Sequence, residues 1–505
     1  LDELFPDGRK RFDYFISRNK AGFWPTFFWM NERILHAYGS LPWKPGREAC
    51  IKLCLEWIIR HQDSDGAWGG IQPPWIYSLM ALHTEGYPLE HAVLRNGLDA
   101  WNHHWSYQRD GAIYLQASES PVWDTLHTLQ GLLDCGATPE NFPQILPALE
   151  WIFDKQIRVK GDWAMTVKGV ECGGWAFERA NTLYPDVDDT AVAMVVLAKI
   201  RKVVPSALRQ RIEEALRRAE VWVRAMQSSN GGWGAFDKDN NRWIITRIPF
   251  CDFGEVLDPP SADLTGHKLE ALGLLGYGMS DPAVAKAVRY LLREQESDGS
   301  WFGRWGVNYI YGTGVVLPGL RAVGFDMKDP RIRKAAEWLA SKQNADGGWG
   351  ESCASYMDES FRGTGPNTPS QTAWALMGLL ATGSHDYDSA IVHGVEWLLR
   401  HQHHGTWDEP HYTGCGFPGY GIGERIDLKK DTARLAQGRE LARGIMINYN
   451  LYRHYFPMQA LGRAAVRFGH RFSTPQEASL VHQTGTKPPY STPSFVSLPG
   501  NKSNS

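Results

Sequence analysis

Asp186, Asp188 and Asp189 place three carboxylates within four consecutive residues, and Thr190-Ala191 follows at once. Residues 190–198 read as an apolar helix, so the acids stand at its start. Carboxylates crowded this closely resist simultaneous ionisation, and one of them tends to keep its proton at neutral pH. A carboxyl that stays protonated is what general-acid chemistry requires. The rest of the chain is rich in aromatic rings, with 22 Trp, whose faces attract cations without acting as nucleophiles.

The elements that position these acids show up as a repeat. An aromatic residue sits five positions before a Gln, and a Gly-x-Trp or close variant follows. The copies are Trp57, Gln62 and Trp68; Trp151, Gln156 and Trp163; Trp222, Gln227 and Trp233; Tyr290, Gln295 and Trp301; Trp338, Gln343 and Trp349; and Trp397, Gln402 and Trp407. Repeats of this length indicate stacked supersecondary units. Each unit reads as two helices. The first is amphipathic and ends at the Gln, as in residues 332–343, and a turn rich in Asp, Asn and Gly follows at 344–348. The second is apolar and rich in small residues, as in 372–380. This alternation suits two concentric rings with the apolar helices inside, which is an all-α fold, an (α/α) barrel. Thr125, Thr190, Thr265 and Thr372 mark one place on successive inner helices. An acid just before such a Thr caps the helix and meets its positive end. On that rule Asp124 and Asp189 read as caps, and Asp186 and Asp188 are surplus to capping.

Composition narrows the classes. The 505 residues exceed one ordinary core and suggest two domains, or one large barrel with additions. A net charge of -3 gives no reason to expect nucleic acid as a partner. The seven cysteines are scattered without a Cys-x-x-Cys pair, which fits reduced thiols. No stretch reads as a signal peptide or a membrane span. Because the first residue is Leu1 and not Met, a fragment or processed product is expected. Residues 473–505 are polar and rich in Pro, Ser and Thr, and read as a disordered tail.

Several stretches resemble the bacterial squalene–hopene cyclases, a family of class II triterpene cyclases. They include Tyr184-Pro185-Asp186-Val187-Asp188-Asp189-Thr190-Ala191, Trp68-Gly69-Gly70-Ile71-Gln72-Pro73-Pro74-Trp75 and Pro121-Val122-Trp123-Asp124-Thr125. Residues 226–234, 248–256, 301–309 and 414–419 agree as well, and the likeness runs from about Trp57 to Phe468. The resemblance implies a catalytic (α/α) barrel over 116–472 and the remnant of a second (α/α) barrel over 1–115, N-terminally truncated. It implies that squalene is cyclised to hopene or hopanol through protonation of a terminal alkene, with no metal or organic cofactor. Asp188 would be the proton donor, with Asp186 and Asp189 as partners; His267 would raise its acidity, and Asp263 would orient His267. By the same resemblance the carbocations would be held by Trp123, Phe177, Trp233, Phe236, Phe253, Trp305, Tyr311, Phe417, Tyr449 and Tyr452. Gln72 matches a residue at the terminating end of the family cavity, and Phe250 and Cys251 match its entrance channel. The sequence departs from the family pattern at Ile445, where an aromatic is usual, at Glu178, which is Gln in some relatives, and in a charged insertion at 421–443 read as a solvated loop.

Family members are monotopic, and Ala21-Gly22-Phe23-Trp24-Pro25-Thr26-Phe27-Phe28-Trp29-Met30, flanked by Arg18, Lys20 and Arg33, is short, aromatic and apolar. It reads as an interfacial patch on a membrane lipid surface, with a buried core helix as the alternative. The resemblance places the protein at the cytoplasmic face of the cell membrane and leaves the oligomeric state open, a homodimer included. A class II cyclase of another polyprene, a diterpene type among them, and a non-catalytic helical repeat protein remain alternatives. A protein prenyltransferase would need a zinc site of Asp, Cys and His, and a glycosidase a polar groove between two carboxylates; the sequence shows neither pattern.

Overall fold

A computed structural model of the chain describes residues 22–242, 257–356, 358–415 and 446–472. Its first helices are α1 (Phe23–Gly39), α2 (Arg47–Arg60), α3 (Gln72–Thr84) and α4 (Ala92–Ala100). A hairpin of β1 (Ser106–Arg109) and β2 (Ala112–Leu115) follows, with Ser106 opposite Leu115. Its two-residue turn, Asp110-Gly111, has φ of 52° and 76°, the left-handed pair that matches strand twist in tight hairpins. Trp68, Trp75, Leu82, Leu94 and Trp105 form a small core here.

The chain continues through α5 (Pro121–Asp134), α6 (Ile145–Asp154), α7 (Val187–Ile200), α8 (Ser206–Ala225), α9 (Ala262–Leu274) and α10 (Pro282–Glu294). Then come α11 (Tyr309–Ala322), α12 (Pro330–Ser341), α13 (Pro369–Thr382), α14 (Asp388–Arg400), the short pair β3 (Gly414–Cys415) and β4 (Met446–Ile447), and α15 (Tyr452–Phe472). The odd-numbered helices from α5 pack on one another in order, and α15 returns to α5, which closes an inner ring. The even-numbered helices lie outside it, α8 against α7, α10 against α9 and α14 against α13. This is the (α/α) barrel that the alternation predicts. In α7 every residue but Lys199 is buried. In α8 only Ile212, Ala215, Leu216, Ala219, Trp222 and Val223 are, the stripe of a helix with one face to solvent.

The repeat residues bind these rings together. The indole N–H of Trp233 donates to the Val223 carbonyl (2.7 Å), that of Trp301 to Leu291 (2.7 Å) and that of Trp349 to Leu339 (2.8 Å). Each Trp thus pins its turn to the outer helix that precedes it. The Gln227 amide donates both to Gly231 in its own turn and to Ala283 in the next outer helix. The backbone N–H of Trp175, Trp233, Trp301 and Trp349 donates to Thr190, Thr265, Thr313 and Thr372, so the early Thr residues tie each turn to the inner ring.

One copy differs from its sequence reading. Trp175, not Trp163, completes the repeat of Gln156: its indole donates to Ile152 (2.7 Å), while the Gln156 amide donates to Gly173 and Ala215. An excursion of residues 157–172 separates the Gln from its Trp. Trp163 instead packs edge-on against Trp222 at 5.9 Å.

Candidate active site

Asp186 caps α7. Its backbone is extended, and its Oδ1 accepts the N–H groups of Asp188 (2.5 Å) and Asp189 (3.3 Å). The capping role expected of Asp189 therefore belongs to Asp186. The loop is held from outside the helix too: Asp186 N–H donates to the Trp175 carbonyl and Val187 N–H to Ala235, each at 2.7 Å. Two repeats thereby set where the acids sit. Asp189, relieved of capping, buries both carboxyl oxygens without a hydrogen-bond partner.

Asp188 is the paired acid. From α9, His267 Nδ1 lies 2.9 Å and Lys268 Nζ 2.5 Å from the same oxygen, Asp188 Oδ1. Burial by itself would raise the Asp188 pKa, but the charges and hydrogen bonds of His267 and Lys268 outweigh it and hold the carboxyl well below the usual carboxylate range. Its neighbours move the other way. Burial and the Asp188 charge push Asp186 up to about 7. Burial and both neighbouring carboxylates push Asp189 well above its ordinary value. The triad therefore divides into one acid that gives up its proton readily and two that retain theirs, and the structure, not the spacing, decides which is which.

The three acids line a cavity of about 370 Å³. Trp123, Phe177, Phe236 and Trp305 contribute to its wall, as do Tyr311, Tyr449 and Tyr452. The rings brace one another: Tyr449 stacks on Tyr452 at 4.5 Å, Phe177 meets Tyr449 edge-on at 6.2 Å, and Phe236 meets Trp305 edge-on at 6.3 Å. Burial drives the pKa of all three tyrosines upward, so they remain neutral phenols. Ile71, Leu257 and Leu264 add aliphatic surface, and Asn181, Asp258 and Arg304 add polar groups.

Three expected site residues stand elsewhere. Trp233 is wholly buried in its repeat and off the cavity wall. Gln72 begins α3 and spends its amide on the Gln116 carbonyl (2.6 Å), while its neighbours Ile71 and Ala117 reach the wall. Asp263 does not orient His267: its Oδ2 accepts the backbone N–H of Arg304 (3.0 Å) and Trp305 (2.9 Å), and its Oδ1 accepts from Ser261 Oγ (2.5 Å) and Leu264 N–H (3.0 Å). Asp263 thus fixes the segment that carries Trp305. Phe250, Cys251, Phe253, Phe417, Ile445, the insertion and the tail lie outside the described residues. Lys268 is the partner that sequence reasoning missed. Its only sequence signal is a lysine inside an inner helix, next to His267.

Burial also loads protons elsewhere. It pushes Asp63, Glu178 and Glu409 to about 7 and Asp124 to about 6, and Asp186 behaves likewise. These carboxyls bind protons more tightly folded than unfolded. The stability they add is full below their ordinary values, near 4, and is lost as pH rises through 6 to 7. His127 and His454, both lowered from 6.5 by burial, act in the opposite sense below that value, but they are fewer. Stability is therefore expected to fall between pH 5 and pH 8, as measured by urea unfolding across that range.

A ring of inner helices closed by an outer ring, around an aromatic cavity with acids buried in its wall, defines a protein of the terpene-cyclase class. The chain belongs to the squalene–hopene cyclase family: that family's C-terminal domain matches residues 119–422 and its N-terminal domain residues 1–110. It is 47% identical over 435 residues to a squalene–hopene cyclase of Alicyclobacillus acidocaldarius, covering 86% of this chain and 64% of that one. It is 38% identical over 473 residues to one of Zymomonas mobilis, covering 92% and 67%. The chain thus spans about two thirds of the length of these relatives. Among solved structures, the type II terpene cyclase MstE from Scytonema aligns with a TM-score of 0.46 and 16% identity, over 83% of this chain and 98% of that one.

Proposed function

We propose that the chain cyclises squalene to the hopene skeleton, with Asp188 donating the proton that starts the reaction. The observation that carries this reading is Asp188 itself: it faces an aromatic cavity while two basic side chains share its Oδ1. An isolated alkene is a very weak base, so the acid that protonates it needs a strongly stabilised conjugate base. His267 and Lys268 supply that stabilisation. Asp186 and Asp189 keep protons within the same cluster.

The proton leaves Asp188 and forms a C–H bond at the less substituted carbon of the terminal alkene, leaving a tertiary cation. The resulting cation is consumed by the next alkene, ring after ring. Loss of a proton from the last cation gives hopene, capture of water gives hopanol, and one proton reloads Asp188. The wall rings stabilise the intermediate cations by cation–π attraction, about 1–2 kcal/mol per ring once water is excluded.

The same reading has the substrate drawn from a lipid surface. The helix α1 exposes Phe23, Phe27, Met30 and Ile34, an apolar face suited to a bilayer interface. Among the described residues no helix is long and apolar enough to cross a membrane. The test is incubation with squalene in detergent micelles, read by gas chromatography–mass spectrometry. A pentacyclic product is expected. Turnover of a shorter polyprene with squalene left intact would assign the cavity to another class II reaction.

A further inference from the structure

His267 and Lys268 are successive residues of α9, and both reach one atom, Asp188 Oδ1, at 2.9 and 2.5 Å. Lys268 is wholly buried, on a helix that also buries Leu264, Leu269 and Leu272. An ammonium group in such surroundings is strongly disfavoured without a counter-charge, and Asp188 is the carboxylate it meets. Lys268 does not line the cavity, so its influence on a bound lipid passes through Asp188.

We propose that Lys268 is a positioning residue of the proton donor: by sharing Oδ1 with His267 it leaves Oδ2 to carry the proton, and it sets both the strength of the acid and the pH range over which that acid is loaded. This rests on Asp188 being the donor. An ammonium beside Oδ1 favours carboxylate over carboxyl, and two effects of opposite sign follow. Where Asp188 holds its proton, the ammonium makes it a stronger acid and speeds transfer to the alkene. Where pH lies above the pKa of Asp188, the same ammonium leaves less of it protonated. Removing the charge must therefore slow the acid side of the pH–rate profile and extend activity on the alkaline side. A residue that only fills space changes neither in this way.

Among the described residues, other titratable groups facing Asp188 are Asp186 at the cap of α7, Asp189 on α7, His127 on α5, Tyr311 on α11 and Tyr452 on α15. Asp124 on α5 faces Asp189 in turn. Asp186 and Asp189 also sense the Lys268 charge, so part of the displacement belongs to the triad as a whole.

The experiment compares Lys268→Met and Lys268→Arg with the parent chain, measuring kcat and KM for squalene across pH. The Met variant is expected to lose roughly 10-fold in kcat on the acid side and to move its alkaline limb up by roughly one pH unit. Its KM should stay within roughly twofold of the parent, and the Arg variant should keep the parent profile. Lys268→Gln replaces the Met variant if the latter does not fold. A profile that superimposes on the parent after scaling overturns the proposal. In that event an inactive Asp188→Asn in the same assay leaves the donor assignment standing.

Should Asp188→Asn remain active, the donor assignment fails, and infrared titration of the substrate-free chain still decides the role of Lys268. The protonated-carboxyl band that Asp188→Asn deletes should appear at higher pH in the Met variant. Equal titration in the two proteins overturns the proposal.

Discussion

Asp188→Asn is expected to abolish cyclisation, with kcat reduced by at least about 10³-fold. The substitution keeps the shape of the side chain, so the cavity it lines is preserved. What it removes is the only triad carboxyl whose conjugate base is held by two basic partners. An amide has no acidic proton to give to an alkene. Stability should fall as well, by roughly 3 kcal/mol, because the wholly buried Lys268 loses its counter-charge. Asp189→Asn makes the contrast: both Asp189 oxygens lack partners, so its replacement leaves the Asp188 pair intact and should cost far less activity. The comparison needs only kcat for squalene and a thermal unfolding curve for each variant.

The second large effect is expected at Asp263, and it is mainly structural. This carboxylate is wholly buried and accepts four hydrogen bonds, two of them from the backbone of Arg304 and Trp305. In Asp263→Asn an NH₂ group replaces one oxygen and meets a donor that previously found an acceptor. Stranding buried donors in this way costs roughly 3–4 kcal/mol. The segment bearing Trp305 should loosen, and with it one ring of the cavity wall. We expect a clear drop in unfolding temperature and a roughly 10-fold loss of kcat, with the pH–rate profile unmoved, since Asp263 does not bond His267. A displaced profile with stability unchanged would instead restore Asp263 to the orienting role that the family resemblance implies.

The sequence carries much of this architecture, and its misreadings have physical causes. The alternation of amphipathic and apolar helices is enough to predict the barrel, because α8 buries one stripe and α7 nearly its whole surface. The acid triad is visible as a cluster, but its division of labour is not. Which acid caps α7 depends on where the backbone leaves the extended region, and sequence fixes helix starts only to within a residue or two. Lys268 escapes because a hydrophobic pattern does not tell a buried cation from a solvent-facing one; only the approach of α9 to α7 supplies the carboxylate. Trp163 and Trp175 exchange places because sixteen residues, 157–172, part Gln156 from the Gly-x-Trp it serves. Trp233 satisfied both a repeat pattern and a site resemblance, and its indole bond to Val223 decides for the repeat.

In the proposed mechanism cyclisation begins with a proton from Asp188 and not with ionisation of a leaving group or an oxidised substrate. Turnover of unlabelled squalene in D₂O tests it most directly. A solvent-exchangeable carboxyl proton must then appear as one deuterium on the ring methylene next to the gem-dimethyl carbon of the first ring, raising the hopene mass by one unit, and Asp188→Asn must yield no labelled product. Cyclic product formed without deuterium, or labelled product from the Asn variant, would rule out Asp188 as the donor.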